Sequence, residues 1–218
     1  MTPWELLDRA PTPDGQGELS LHRRNTELSI HIDGAVLMNS RMHGSEEAMV
    51  RLACGDLGAN GRVLVGGLGM GFTLAATCAM LAPGVEITVS ELSEAVLRWN
   101  HGVVGELAGR PVNDPRVRVV VGDVRDQITG HWDVILLDVD NGPGGLTQES
   151  NGWLYSRTGL AKLYRVLSPR GTLAVWSAHP DEAFTRRLSQ AGFKPTAHTV
   201  RARAKGKGPR HTIWVATT

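Results

Sequence analysis

Apolar residues recur along this chain with two periods, and the switch between them marks out the elements. Over 18–39 they alternate with polar residues around Asn25-Thr26 and Asp33-Gly34, as in Leu19 and Leu21, then Leu28, Ile30 and Ile32. That alternation predicts a short β-hairpin or meander. Ala48, Met49, Leu52 and Ala53 recur at helical spacing, so 45–57 reads as a helix with Ser45 as its N-cap. From residue 62 onward, β-branched runs at 62–65, 85–89, 117–121, 134–137 and 172–176 alternate with helical stretches at 72–81, 94–107, 154–167 and 181–191. Such alternation builds right-handed βαβ units and a mainly parallel sheet. The chain closes with extended runs at 194–203 and 211–216, and so short a connection makes that pair antiparallel. The expected class is α/β, with an N-terminal hairpin extension over 1–44 ahead of a main domain over 45–218.

Composition narrows the function. At 218 residues, with 41% hydrophobic and 21% charged residues, the chain suits one well-cored domain with a modest appendage. Lys and Arg number 23 against 22 for Asp and Glu, so no overall field draws nucleic acid or an anionic membrane. The basic run Arg201, Arg203, Lys205, Lys207 and Arg210 lacks interleaved aromatics and reads as a solvated hairpin tip. Small molecules, or a second copy of the chain, are the expected partners. Cys54 and Cys78 have no CxxC or Cys/His spacing around them and read as small buried hydrophobes in a reducing compartment. No segment approaches the ~20 apolar residues that span a bilayer, and the cytoplasm is the expected location. The eight histidines show no ligand spacing, so no metal is expected.

The strand at 62–65 runs into Gly66-Gly67-Leu68-Gly69-Met70-Gly71 and then a helix. Glycines let the backbone take positive φ and approach a ligand, and the helix start presents free N–H groups to it. Phe72 stands where a dinucleotide fingerprint has its third glycine, which argues against a nicotinamide cofactor. Glu91 follows the next strand, 20 positions after Gly71, and suits the two hydroxyls of a ribose. Leu92 lies beside it. Asp123 closes the third strand of the main domain and suits an adenine amino group, with Val124 offering its backbone N–H. The bland readings are a packing turn, a surface Glu and an N-cap Asp. Three such features at successive strand tips favour a nucleoside, because open α/β sheets bind ligands at that edge.

The fourth strand ends in Asp138-Val139-Asp140-Asn141-Gly142-Pro143. Asp138 and Asp140 are candidate catalytic carboxylates that gather a cationic amine and remove its proton. Their bland alternative is an Asx turn. Asn141, Trp153, Tyr155 and Trp176 are candidate contacts for the acceptor, the aromatics against ordinary packing, and the segment ending at Trp153 reads as a lid over it.

In this order the motifs resemble the spermidine synthase family of polyamine aminopropyltransferases, within the class I S-adenosylmethionine-dependent methyltransferase superfamily. The likeness runs from Ile32-Asp33-Gly34 through the glycine turn, Glu91, Gly122-Asp123 and Asp138 to Ser168-Pro169-Arg170-Gly171. It implies a Rossmann-like class I methyltransferase fold and cofactor contacts from Gly67, Gly69, Gly71, Glu91, Leu92, Asp123, Val124 and Asp138. It implies that Asp138 assists deprotonation of an acceptor amine, and that the chain forms a homodimer with the N-terminal hairpin available as interface. The departures are specific. Met70 stands where the family carries an acid, Met38 where it carries a glutamine, Asp138-Val139-Asp140-Asn141 replaces Asp-Ser-Ser-Asp, and Gly44-Ser45-Glu46 replaces Tyr-His-Glu.

An acid at position 70 would repel the carboxylate of intact S-adenosylmethionine by up to ~4 kcal/mol at 4 Å for an effective dielectric near 20. With Met70 the leading expectation is therefore methyl transfer from S-adenosylmethionine to a small amine. Aminopropyl transfer from decarboxylated S-adenosylmethionine is the alternative. Other alkyl chemistry that releases methylthioadenosine stays open, as does a non-catalytic nucleotide-binding module.

Overall fold

A computed structural model describes residues 2–139, 142–143, 149–203 and 207–218. Four strands open the chain, β1 (Glu5–Pro11), β2 (Glu18–Arg24), β3 (Glu27–Ile32) and β4 (Ala35–Asn39), paired antiparallel in sequence order. The expected hairpin is thus a four-stranded meander. Its first strand escaped the pattern because Glu5-Leu6-Leu7-Asp8-Arg9-Ala10 does not alternate cleanly and carries a register shift between Leu6 and Asp8.

Helix α1 (Gly44–Cys54) follows, capped by His43 rather than Ser45. Ser45 lies inside the first turn, fully buried, and its hydroxyl is used elsewhere. The main domain then runs β5 (Arg62–Gly66), α2 (Phe72–Met80), β6 (Glu86–Glu91), α3 (Glu94–His101), α4 (Val103–Ala108), β7 (Val117–Val121), α5 (Val124–Gln127), β8 (Trp132–Leu137), α6 (Arg157–Val166), β9 (Leu167–Ser177), α7 (Glu182–Gln190), β10 (Lys194–Arg203) and β11 (Lys207–Thr217). The helix expected over 94–107 is broken in two at Gly102, whose backbone leaves the helical region. The next expected helix, over 154–167, begins later than expected: its first two residues close a separate 3₁₀ turn over 149–155, and Ser156 caps α6 by accepting from the Gly159 amide.

The large sheet has the order β10-β11-β9-β8-β5-β6-β7, parallel from β9 through β7. β11 lies antiparallel between β9 and β10. This is the class I methyltransferase arrangement that the resemblance implied. Alternation within each strand divides the core. Val63, Val65, Val134 and Leu136 face one layer with α1, α2, α3 and the inner residues of the N-terminal sheet, Leu19, Leu21, Leu28 and Ile30. Leu64, Ile135, Leu137 and Val175 face the other with α6 and α7. Strands covered on both faces read as continuous apolar runs, which is why they were visible in the sequence. Asp8 of β1 ties the meander to α3, accepting from Arg98 at 2.8 Å and from the Trp99 indole at 2.7 Å. No helix among the described residues is long and apolar enough to cross a membrane.

Candidate functional site

The tips of the parallel strands β8, β5, β6 and β7 are laced together by backbone hydrogen bonds. Gly67 N–H donates to the Ser90 carbonyl, Asp138 N–H to that of Gly66 and Gly122 N–H to that of Glu91, each at 2.8–2.9 Å. Gly67 takes φ +90°, and a Cβ there would run into the Asp138 carbonyl oxygen, so only glycine lets β5 turn so close to the tip of β8. Gly69, at φ +50°, leaves room for the Met38 thioether, whose sulfur would lie 3.1 Å from a Cβ.

Two adjoining chambers open along this edge. The first, about 860 Å³ of space that is open to solvent, lies between the N-terminal sheet and the strand tips, and Gly67, Gly69, Glu91, Leu92, Asp123, Val124 and Asp138 all line it. Gly71 does not. Its φ of +81° caps α2, and a Cβ there would meet Asn100 Oδ1 at 2.8 Å, so its place is in packing rather than in ligand contact. Glu91 is held by the glycine turn itself, accepting from the amides of Leu68 at 2.9 Å, Gly69 at 3.4 Å and Ser93 at 2.9 Å. Burial raises its carboxyl above the ordinary range, against the lowering by those amides. Asp123 is at once a cleft residue and the N-cap of α5. It accepts from the Arg125 amide at 2.8 Å and from the Arg125 guanidinium at 2.7 Å.

The second chamber shares Leu37, Met38, Gly69 and Asp138 with the first and adds Glu46, Met70, Thr73, Trp176 and His211. Of the aromatics expected at the acceptor, Trp176 is the one that lines it. Tyr155 instead turns under β8 into the second core layer, where its ring meets Phe184 edge-on and its hydroxyl donates to the Val139 carbonyl. Trp153 packs on the same side, with Lys162 Nζ 5.7 Å from its ring centre. The 3₁₀ turn before α6 carries both residues to the opposite face of the sheet from the chambers. Asp140 and Asn141 lie outside the described residues, as do 144–148 of the expected lid.

Asp138 is gripped by α2, whose Thr73 hydroxyl donates to its Oδ2 at 2.5 Å. Burial pushes the Asp138 carboxyl up to about 6, although the Thr73 hydrogen bond lowers it. Glu46, from α1, stands across the same chamber. Burial and then the Asp138 charge push it up to about 8, even though it sits in the first turn of a helix, where the dipole favours an anion. Ser45 Oγ–H donates to Glu46 Oε2 at 2.6 Å, and the same Ser45 oxygen lies 2.8 Å from His211 Nδ1. The His211 ring meets Trp176 edge-on at 4.6 Å, and burial, then His179, hold its pKa below the ordinary histidine value. Sequence reasoning passed over Glu46, Thr73 and His211 as site residues. The only pointer to Glu46 was that it keeps the acid of the Tyr-His-Glu element, and nothing local marked Thr73 or His211.

No family model matches the chain. A polyamine aminopropyltransferase 2 from Streptomyces coelicolor is 34% identical in a 201-residue alignment that covers 84% of this chain and 34% of that relative. A polyamine aminopropyltransferase from Prochlorococcus marinus is 27% identical over 139 residues, 62% of this chain and 47% of the relative. The chain thus spans between about a third and about half the length of the curated relatives it matches. Among solved structures, spermidine synthase from Thermotoga maritima superposes with a TM-score of 0.76 at 14% identity, covering 97% of this chain and 72% of that one. A spermidine synthase in complex with the transition-state analogue AdoDATO gives 0.75 at 14% identity, with the same coverage. The Thermus thermophilus TrmN gives 0.56 at 23% identity over 79% of this chain and 48% of that one. Kinship in sequence along most of its length, joined to the likeness in fold, makes this chain spermidine synthase-like, on the class I methyltransferase fold.

Proposed function

We propose that the chain transfers an aminopropyl group from decarboxylated S-adenosylmethionine to a small amine. The observation that carries this reading is the pair of carboxylates, Glu46 and Asp138, in a chamber lined by no Lys or Arg among the described residues. Such a chamber favours ammonium groups. The carboxylate of intact S-adenosylmethionine would meet the Asp138 anion at a cost of up to ~4 kcal/mol at 4 Å for an effective dielectric near 20, and the Glu46 anion as well once pH exceeds about 8. The relatives named aminopropyltransferases support the same choice over methyl transfer, which Met70 had led the sequence reading to prefer.

The residues of the first chamber fit an adenosine. Gly67 and Gly69 line it with backbone that carries no side chain, Glu91 offers carboxylate oxygens toward a ribose, and Asp123 with the Val124 amide suits an adenine edge. The bound sulfonium supplies an activated carbon, so that the new N–C bond forms as the C–S bond breaks and the electron pair leaves on neutral sulfur. The protein's share is then to position, to keep water out and to take a proton. Leu37, Met38 and Met70 give the chambers apolar walls, while Asp138 and Glu46 supply the charge that gathers an ammonium.

A second reading, methyl transfer from intact S-adenosylmethionine, is favoured by Met70, which is buried and apolar where the family carries an acid. The spent nucleoside separates the two. With decarboxylated donor and 1,4-diaminobutane, the expected product is methylthioadenosine. S-adenosylhomocysteine from the intact donor would establish methyl transfer instead, and binding without either product would leave a nucleotide-binding module.

A further inference from the structure

The second chamber, about 990 Å³ of space open to solvent, sets its two carboxylates in a wall that is otherwise largely apolar. Met42, Leu68, Met70, Phe72, Trp176 and Ala178 line it and do not line the first chamber, so they surround the acceptor rather than the adenosine. The remaining polar groups there are already engaged. Asn39 Oδ1 accepts from the Arg41 amide at 3.1 Å, the Thr73 hydroxyl donates to Asp138, and His211 Nδ1 lies 2.8 Å from Ser45 Oγ. The next acid on α1, Glu47, is no help, because it pairs with His43 at 2.8 Å and with Arg51 at 3.8 Å and lines a separate surface hollow.

Charge then limits what the chamber can take. A decarboxylated donor brings one ammonium and a diamine brings two amino groups, against two carboxylates among the described residues. The donor ammonium and the reacting amine, which must give up a proton, occupy both. A second ammonium on the acceptor is left against thioether and aromatic surface, where an unpaired charge is costly and a methyl group is favoured. Nor are the rings free to receive it, since His43 stacks on Phe72 and His211 meets Trp176 edge-on, each at 4.6 Å.

We propose that the preferred acceptor is a primary monoamine with an apolar alkyl tail, and that Met42, Phe72 and Trp176 form the site that selects the tail. This rests on the aminopropyl-transfer reading above. The amine gives one proton to the carboxylate pair, and its lone pair forms the N–C bond as the C–S bond breaks. Sulfur keeps the bonding pair. Methylthioadenosine leaves, and the product is an N-alkyl-1,3-diaminopropane.

The test compares pentan-1-amine with 1,4-diaminobutane, which share a heavy-atom chain and differ only in a terminal methyl or ammonium. With decarboxylated S-adenosylmethionine, kcat/KM should be at least about 10-fold higher for pentan-1-amine, and should rise about 4-fold per methylene from propan-1-amine upward. Met42→Glu supplies a third carboxylate and should shift the ratio about 10-fold toward the diamine. A wild-type protein that releases methylthioadenosine faster with the diamine overturns the proposal and leaves the parent reading standing. Release with no amine at all sinks the parent reading, and calorimetry of the methylthioadenosine complex still decides the tail site: tighter pentan-1-amine upholds it, tighter diamine refutes it. Should Met42→Glu fail to fold, the wild-type alkylamine series decides alone, because a flat response to tail length is incompatible with an apolar tail site.

Discussion

The Thr73 hydroxyl donates to Asp138 Oδ2 at 2.5 Å, joining the first turn of α2 to the tip of β8 across the mouth of the glycine turn. A hydrogen bond to a charged group is worth about 1.5–3 kcal/mol, so Thr73→Val should raise the Asp138 pKa above its present value of about 6. Thr73→Ser should leave it in place. Carbon-13 NMR of labelled aspartate reads this directly, and an Asp138 titration indifferent to Thr73→Val would mean that burial alone governs the carboxyl.

Gly67 and Gly109 separate steric from conformational demands. Both have positive φ, +90° and +77°, yet a Cβ at Gly67 strikes the Asp138 carbonyl, while at Gly109 nothing lies within 4 Å. Gly109→Ala should cost only backbone strain, about 1 kcal/mol, whereas Gly67→Ala adds overpacking of about 1–3 kcal/mol at the strand tips. At roughly 2–4 °C per kcal/mol for a chain of this size, Gly67→Ala should melt several degrees lower. It should also lose methylthioadenosine binding in calorimetry. Equal melting of the two variants would contradict the close approach.

Asp123 serves two masters, capping α5 and lining the first chamber. Asp123→Ala should therefore lose about 1 kcal/mol of stability as a missing N-cap and also weaken methylthioadenosine binding. Arg125→Ala keeps the cap and removes the guanidinium that now occupies Oδ2, so its affinity should be equal or higher. Should Arg125→Ala bind as poorly as Asp123→Ala, the ion pair rather than the free carboxylate would be what the ligand needs.

What the sequence disclosed follows from how each feature is encoded. β5, β8 and β9 are covered on both faces and write themselves as apolar runs, and the glycine turn, Glu91 and Asp123 fall at strand tips by simple counting. Tyr155 and Trp153 were misplaced because aromatic content does not say which face of a sheet a connecting turn will choose. Glu46 and His211 were missed for a different reason. They are 165 positions apart in sequence, and only the packing of α1 against the end of β11 brings them to Ser45.

The carboxylate pair should also leave its mark on stability. Glu46 moves from 4.5 to about 8 and Asp138 from 3.8 to about 6, so between these values the folded state binds more protons than the unfolded one. Stability contributed by the neutral carboxyls is complete below the unfolded values and is lost as pH rises through the folded ones. His22 and His211, both held below the ordinary 6.5, act in the opposite sense beneath that pH, and from 6.5 to about 8 Glu46 acts together with Glu91, whose carboxyl burial also raises. Wild-type Tm should fall across this window, while Glu46→Gln, which has no proton to lose there, should fall less steeply and melt higher at the alkaline end. Parallel slopes for the two proteins would show that Glu46 is already ionised at neutral pH, and that burial beside Asp138 does not hold its proton.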